Sequence, residues 1–250
     1  MRSSILFLAC FILTHLPSVL RADDQPWVTL FKGADYAGWK IVSHSDPAPA
    51  IVEEGAMVLR QRTNTVEHTF VTSEKKYGDF ILELDLKDDP GFNSGILLRC
   101  QDAAADAAVR LNGYQVKIDN TKRSWTGGVF DDFGNSWRWL FDLKDDARAR
   151  DAFKLGEWSH FRIECIGSTI KVWVNDVPTC HLIDEKYREG YIVFKIHSLG
   201  NNPKATEQAI RFKNIRILTD RPERFVKPME LTSRKAPAEP GEFDKAASGQ

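Results

Sequence analysis

The chain has 250 residues, 42% hydrophobic and 11% aromatic, and its 34 Lys and Arg against 35 Asp and Glu leave a formal net charge of -1. That balance excludes the basic excess of a general nucleic-acid binder, and no Lys/Arg-rich block with interleaved aromatics supplies one locally. The length and apolar content suit a globular protein with one sizeable core.

The first element reads as a targeting segment. Arg2 carries the positive charge, Ile5 to Leu20 form an apolar run interrupted by His15 and Pro17, and Ala22 offers a cleavage position. This is the layout of a secretory signal peptide over residues 1–22. The run falls short of the ~20 residues that span a bilayer. The expectation is therefore an exported protein, periplasmic or extracellular, with no membrane span in the mature chain; Cys10 in "FLAC" keeps a lipid-anchored alternative open. Cleavage leaves Cys100, Cys165 and Cys180, an odd count that forbids complete pairing. Their spacing resembles no metal site, and they read as small buried apolar side chains.

From Trp27 to Leu218 the chain is a succession of short runs alternating with period two, among them "AMVLRQ", "DFILELDLK", "SGILLRC", "GYQVKID", "SHFRIECIG", "STIKVWVND", "GYIVFKIHS" and "AIRFKNIRIL". Gly, Pro, Asn and Asp punctuate them, with turn signals at Ile166 to Ser168 and Asn175 to Pro178. The pattern predicts an all-β jelly-roll sandwich of two antiparallel sheets over residues 23–218. Phe80, Leu82, Leu84 and Leu86 would share the core face of one strand, Phe161, Ile163 and Cys165 that of a second, and Ile192, Phe194 and Ile196 that of a third. Asp131 to Gly156 is too long for a tight turn and predicts a loop or short-helix excursion over one sheet. From Thr219 to Gln250 a Pro-, Glu-, Lys- and Ser-rich stretch predicts an extended and finally disordered tail.

Nucleophile-elbow, zinc-protease and dinucleotide motifs are missing from the sequence. Glu83 and Asp85 stand two apart on one strand face, a spacing that glycosidase carboxylates use, yet a solvated outer face explains them as well. More telling is "GYQVKID". Tyr114, Val116 and Ile118 point one way, and Gln115, Lys117 and Asp119 the other. Lys195 and His197 make a similar polar row on "YIVFKIHS". If both strands share a sheet, the two rows form a ligand surface. In "PGFNSGILLRC", Asn93 and Ser94 offer local hydrogen bonds, and alternation sets Gly95, Leu97 and Arg99 on one face.

The ordered set "WVTLFKGADYAGW", "TSEKKYGDFILELDLK", "GFNSGILLRC", "GYQVKIDN" with "TGGVFD", "LGEWSHFRIECIGSTIKVWVNDV", "GYIVFKIHS" and "IRFKNIRIL" resembles the 3-keto-disaccharide hydrolase domain family from Trp27 to Leu218. The resemblance implies a concanavalin A-like lectin/glucanase sandwich with a carbohydrate cleft on its concave sheet, acting on glycosides already oxidised at C3. Such a ketone acidifies the C2 hydrogen, so a general base can drive elimination of the C1 substituent, with water added back. Donors or a cation must meet the developing oxyanion.

Matched to the family's motifs, His197 is the candidate general base or metal ligand. Arg99 and Lys117 are candidate oxyanion or substrate-anion clamps. Asn93, Gln115 and Asp119 are candidate hydroxyl readers, and Lys195 completes the substrate-binding row. Trp137, with Trp139, is a candidate stacking ring, with packing under the long loop as the competing reading. No cofactor is implied with certainty; a divalent metal is the one the chemistry would accommodate. The family commonly has Glu where Gln115 stands, and Gln where Lys117 and Lys195 stand. Those departures either remove a base or metal ligand, leaving a non-catalytic carbohydrate-binding module, or suit the site to an anionic sugar.

Overall fold

The computed structural model describes residues 27–43, 50–61, 68–92, 94–101, 111–119, 121–132, 138–199 and 208–237. In chain order the strands are β1 (Trp27–Thr29), β2 (Trp39–Val42), β3 (Ala50–Glu53), β4 (Ala56–Arg60), β5 (Thr69–Tyr77), β6 (Phe80–Asp88), β7 (Ser94–Gln101) and β8 (Asn112–Ile118). There follow β9 (Val129–Asp132), β10 (Arg138–Phe141), β11 (Ser159–Ile166), β12 (Thr169–Val174), β13 (Val177–Ile183), β14 (Gly190–Ile196), β15 (Ala209–Leu218) and β16 (Arg234–Lys235). A one-turn helix, α1 (Ala147–Arg150), and a 3-10 turn at Pro222–Phe225 are the described helical elements.

Two sheets form. The larger runs β16-β13-β12-β11-β6-β15-β4-β3, with β1 also on β15; the smaller runs β10-β9-β8-β7-β14-β5-β2. All pairings are antiparallel except β13 with β16. Local turn chemistry sets several of these registers. Glu54 and Gly55 between β3 and β4, and Asn175 and Asp176 between β12 and β13, all adopt positive φ. That is the mirror-image turn whose twist suits a two-residue hairpin.

The period-two reading of the core holds strand by strand. Phe80, Leu82, Leu84 and Leu86 of β6, with Phe161, Ile163 and Cys165 of β11, meet Tyr114, Val116 and Ile118 of β8 and Ile192, Phe194 and Ile196 of β14 in one buried cluster. Phe194 stacks between Trp39 of its own sheet at 5.1 Å and Phe212 of the opposing sheet at 4.3 Å. Each such side chain contributes about 1.5–3 kcal/mol on burial. Cys100, Cys165 and Cys180 are free and buried, as small apolar residues would be. Burial pushes the Cys165 thiol up to about 12.

The long excursion after β9 contains an edge strand, β10, and the single turn α1, which Asp146 caps by accepting from the Ala149 N–H at 2.9 Å. The tail is extended through residue 237 but firmly attached. The Phe225 carbonyl accepts from Arg162, the Lys227 N–H donates to Glu164, and the Ala236 N–H donates to the Ile183 carbonyl. Residues 238–250 and the candidate signal segment lie outside the described residues.

Candidate functional site

The polar row of β8 and that of β14 do share a sheet and a face. Directly paired residues on adjacent strands project to the same side. One row therefore runs Thr72, Val193, Leu97, Gln115 and Phe130 across β5, β14, β7, β8 and β9. The neighbouring row runs Phe70, Lys195, Gly95 and Lys117. Neither row contains a carboxylate. This is the outer face of the smaller sheet, yet it is withdrawn from solvent: Gln115 is 0% exposed, Lys117 3% and Lys195 2%. A second apolar cluster of Phe70, Leu97, Cys100, Leu111 and Val193 lies on the same side.

Gly95 shapes the centre of this face. A Cβ there would come within 2.5 Å of Gln115 Cγ, so the Gln115 side chain leans across β7 through the space a larger residue would fill. Neither the Oε1 nor the Nε2 of Gln115 has a hydrogen-bond partner. A buried amide with no partner costs about 1–3 kcal/mol. The Lys117 ammonium lies 5.7 Å from the centre of the Phe130 ring. Phe130 and Trp125 both pack edge-on against Trp139.

At the rim, His197 meets His68 with ring centroids 4.3 Å apart. His197 Nδ1 lies 2.8 Å from the Ser198 carbonyl, which can only accept, so Nδ1 carries a proton and the lone pair of the ring's neutral form is on Nε2. The Ser198 N–H donates to His68 Nδ1 at 3.0 Å. Burial first, then the charges of Lys195, His197 and Lys117, drive the His68 pKa far below its ordinary value and keep that ring neutral. His68 is the site residue that sequence reasoning missed. Its signal was the alternation His68, Phe70, Thr72 leading into β5.

Other candidates fall elsewhere. Arg99 is not on this face. It takes positive φ at a register shift in β7, which reverses the alternation and gives its place on the outer face to Cys100. Its fully buried guanidinium donates to the carbonyls of Gly78, Gly167 and Tyr187 and to Asp79, joining three turns. It is a structural tie and no substrate clamp. Asp119 is committed to its own loop: Oδ2 accepts from Arg123 at 2.7 Å and Oδ1 from Thr121. Burial alone would raise its carboxyl pKa, but the bonds from Arg123 and Thr121 outweigh that and lower it. The Arg123 guanidinium in turn covers the rings of Trp125 at 4.9 Å and Trp139 at 5.1 Å, so Trp139 is held by packing. Asn93 and Trp137 lie outside the described residues.

Glu83 and Asp85 sit on the outer face of the other sheet. Glu83 is held in ion pairs with Arg162 and Arg216, and Asp85 accepts from the Asn214 amide and lies 2.8 Å from His160 Nδ1, so both carboxylates are engaged within their own sheet. Among the described residues no group of three His, Cys, Asp or Glu is placed to hold a metal ion. The two imidazoles at the rim lie among lysine charges, a donor set that does not fit a divalent cation.

Two antiparallel sheets packed face to face make this a sandwich, and its fold is that of the concanavalin A-like lectin/glucanase class. A glycosyl hydrolase candidate from Parabacteroides distasonis ATCC 8503 is 19% identical with a TM-score of 0.57, over 80% of this chain and 98% of that one. The β-glucanase of Bacillus licheniformis is 12% identical with a TM-score of 0.53, over 78% of this chain and 98% of that one. A pseudo β-1,3-glucanase of Mycobacterium tuberculosis is 13% identical with a TM-score of 0.51, over 76% and 95%. No curated protein sequence matches the chain. The chain belongs to the 3-keto-alpha-glucoside-1,2-lyase-like domain family, whose pattern matches residues 26–218. That membership makes its function carbohydrate-related.

Proposed function

We propose that the protein is an exported enzyme that cleaves 3-keto-glycosides on the outer face of its smaller sheet. The observation that supports this most is the convergence of Lys195, Gln115 and Lys117 on one buried face, with the half-buried His197 at its rim, in a member of this family. His197 Nε2, made basic by the Nδ1–H bond to Ser198, takes the C2 proton. The C–H electron pair moves toward the C3 carbonyl, whose growing negative charge faces the Lys117 and Lys195 ammoniums. Collapse of that enolate forms the C1–C2 double bond and breaks the bond from C1 to the leaving oxygen, which departs with a proton. Water then adds across the double bond, returning hydrogen to C2 and hydroxyl to C1, for net hydrolysis. Arg99 and Asp119 take no part, since both are bound up elsewhere.

A carbohydrate-binding module without turnover is the second reading. Both oxygens of Asp119 are engaged, and the two central rows hold no carboxylate that could back up the base. Incubation with 3-keto-glucosides and measurement of released sugar separates the two. We expect turnover that falls at least about 100-fold in His197→Ala. Glycan binding with no turnover by the parent chain leaves the binding module, and unchanged turnover in the variant removes His197 as the base.

A further inference from the structure

On the outer face of the larger sheet, a cavity of about 540 Å³ opens above the Asp85–His160 pair of β6 and β11. Its walls are the loop between β1 and β2 and the turn between β3 and β4. The two meet closely because position 33 is glycine: a Cβ there would lie 2.9 Å from the Gly55 carbonyl oxygen. Ligand pockets span roughly 300–1,000 Å³, so this one has room for a sugar residue or two.

Three planar side chains line the cavity, and each is tied from behind by a carboxylate. His160 Nδ1 lies 2.8 Å from Asp85 Oδ1, and the Asn214 amide donates to Asp85 Oδ2 at 2.6 Å. Arg216 donates from Nε and Nη2 to Glu83 Oε2, with its guanidinium over the Trp27 ring at 4.6 Å. Asn214 holds its position through a positive φ at the bulge in β15. Among the described residues His160 Nε2, Asn214 Oδ1 and Arg216 Nη1 have no hydrogen-bond partner. The reading groups are therefore oriented in advance of any ligand, by supports that leave their outer atoms available.

Those outer atoms are a mixed set. Arg216 Nη1 donates, Asn214 Oδ1 accepts, and an imidazole Nε2 accepts when neutral or donates when protonated. A hydroxyl does both, so it can satisfy all three. The charges lining the cavity also balance: Glu83 offsets Arg216, and Lys32, which has no ion pair among the described residues, is opposite in sign to Asp85. That balance favours a neutral ligand over an ion. The buried rings and methyls of Phe31 and Ile215 supply the apolar part of the lining.

We propose that this cavity is a second ligand site, on the opposite sheet from the polar rows, and that it takes the hydroxyls of a neutral saccharide. Glu83 and Asp85, two apart on one strand, are the supports that hold its reading groups in place. The site is independent of catalysis on the smaller sheet.

The test is a proton–nitrogen correlation titration of the full chain with methyl glucoside, cellobiose and glucose 6-phosphate. The backbone amides of Thr29, His160 and Asn214 should shift with both neutral sugars, and the phosphate ester should bind no more tightly. His160→Phe keeps a ring without its nitrogens, and Asn214→Gly keeps the positive φ without the amide. Each should weaken binding at those amides by about tenfold, the effect of losing one or two hydrogen bonds. The rest of each spectrum reports that the fold is retained. Shifts confined to Gln115, Lys117 and Lys195 put the sugar on the smaller sheet alone and overturn the proposal. No shift with either sugar, affinity unchanged in both variants, or a preference for the phosphate ester overturns it as well.

Discussion

His68 illustrates how much a single residue's surroundings decide. In the folded chain it is buried beside Lys195, His197 and Lys117, so its neutral form is strongly favoured, and its Nδ1 accepts the Ser198 N–H, which suits that form. Unfolded, the same imidazole binds a proton below about pH 6.5. The unfolded state then holds the extra proton, so stability is fully present above that value and falls as pH drops below it. We expect urea unfolding of the parent chain to show a loss of up to about 1.4 kcal/mol per pH unit from this group between roughly pH 6 and pH 4.5. Asn presents an oxygen where Nδ1 lies and does not titrate, so His68→Asn should flatten that slope. Parallel pH profiles for the two proteins would disprove the account. Asp119 acts lower down: its depressed carboxyl pKa adds stability above about pH 4 that is lost as pH falls further, in parent and variant alike.

At the scale of the strand, alternation was legible wherever pairing is regular. "DFILELDLK" and "GYIVFKIHS" bury the residues their period-two pattern selects, and "GYQVKID" puts Gln115 and Lys117 opposite Tyr114 and Val116. The same rule fails at Arg99, because one left-handed residue shifts the register and every later side chain changes face. Nothing in "SGILLRC" announces that shift. What accommodates it lies across the sheet, where Gly190 of β14 leaves room that a Cβ would take from the backbone of Arg99 and Cys100. A reader of one chain sees each strand's pattern but not the partner that bends it. The bulge makes a further prediction. Arg99→Met keeps the bulk but leaves the carbonyls of Gly78, Gly167 and Tyr187 without their donor, and the cost should be about 3–5 kcal/mol in urea denaturation. Because the guanidinium lies off the site, any folded fraction should retain the parent KM; a raised KM at full stability would restore Arg99 to the substrate.

Across the whole molecule the two outer faces have separate duties. The smaller sheet carries the polar rows and the histidine rim, while the larger sheet is covered in part by residues 219–237, a segment beyond the family's match to residues 26–218. Low hydrophobicity made that stretch read as a loose tail, since its attachment depends on backbone groups and a few charges that composition does not reveal. Ending the chain after Leu218 removes the Lys227 N–H from Glu164, which is 1% exposed, and the Phe225 carbonyl from Arg162. It also removes the Lys227 ammonium that lies 5.9 Å from the Trp173 ring and the strand β16 that lengthens the sheet. Glu164 already has one oxygen without a partner, so losing the other's donor leaves a buried carboxylate dependent on Arg162 alone. We expect the truncated chain to lose about 2–4 kcal/mol in urea denaturation. Its glycoside affinity, measured below the unfolding transition, should match that of the full chain, because the sheet bearing Gln115 and Lys117 does not contact the lost segment through those residues. A weakened site in a fully folded truncation would mean that the two faces are coupled through the core, and that the strap on one sheet sets the geometry of the other.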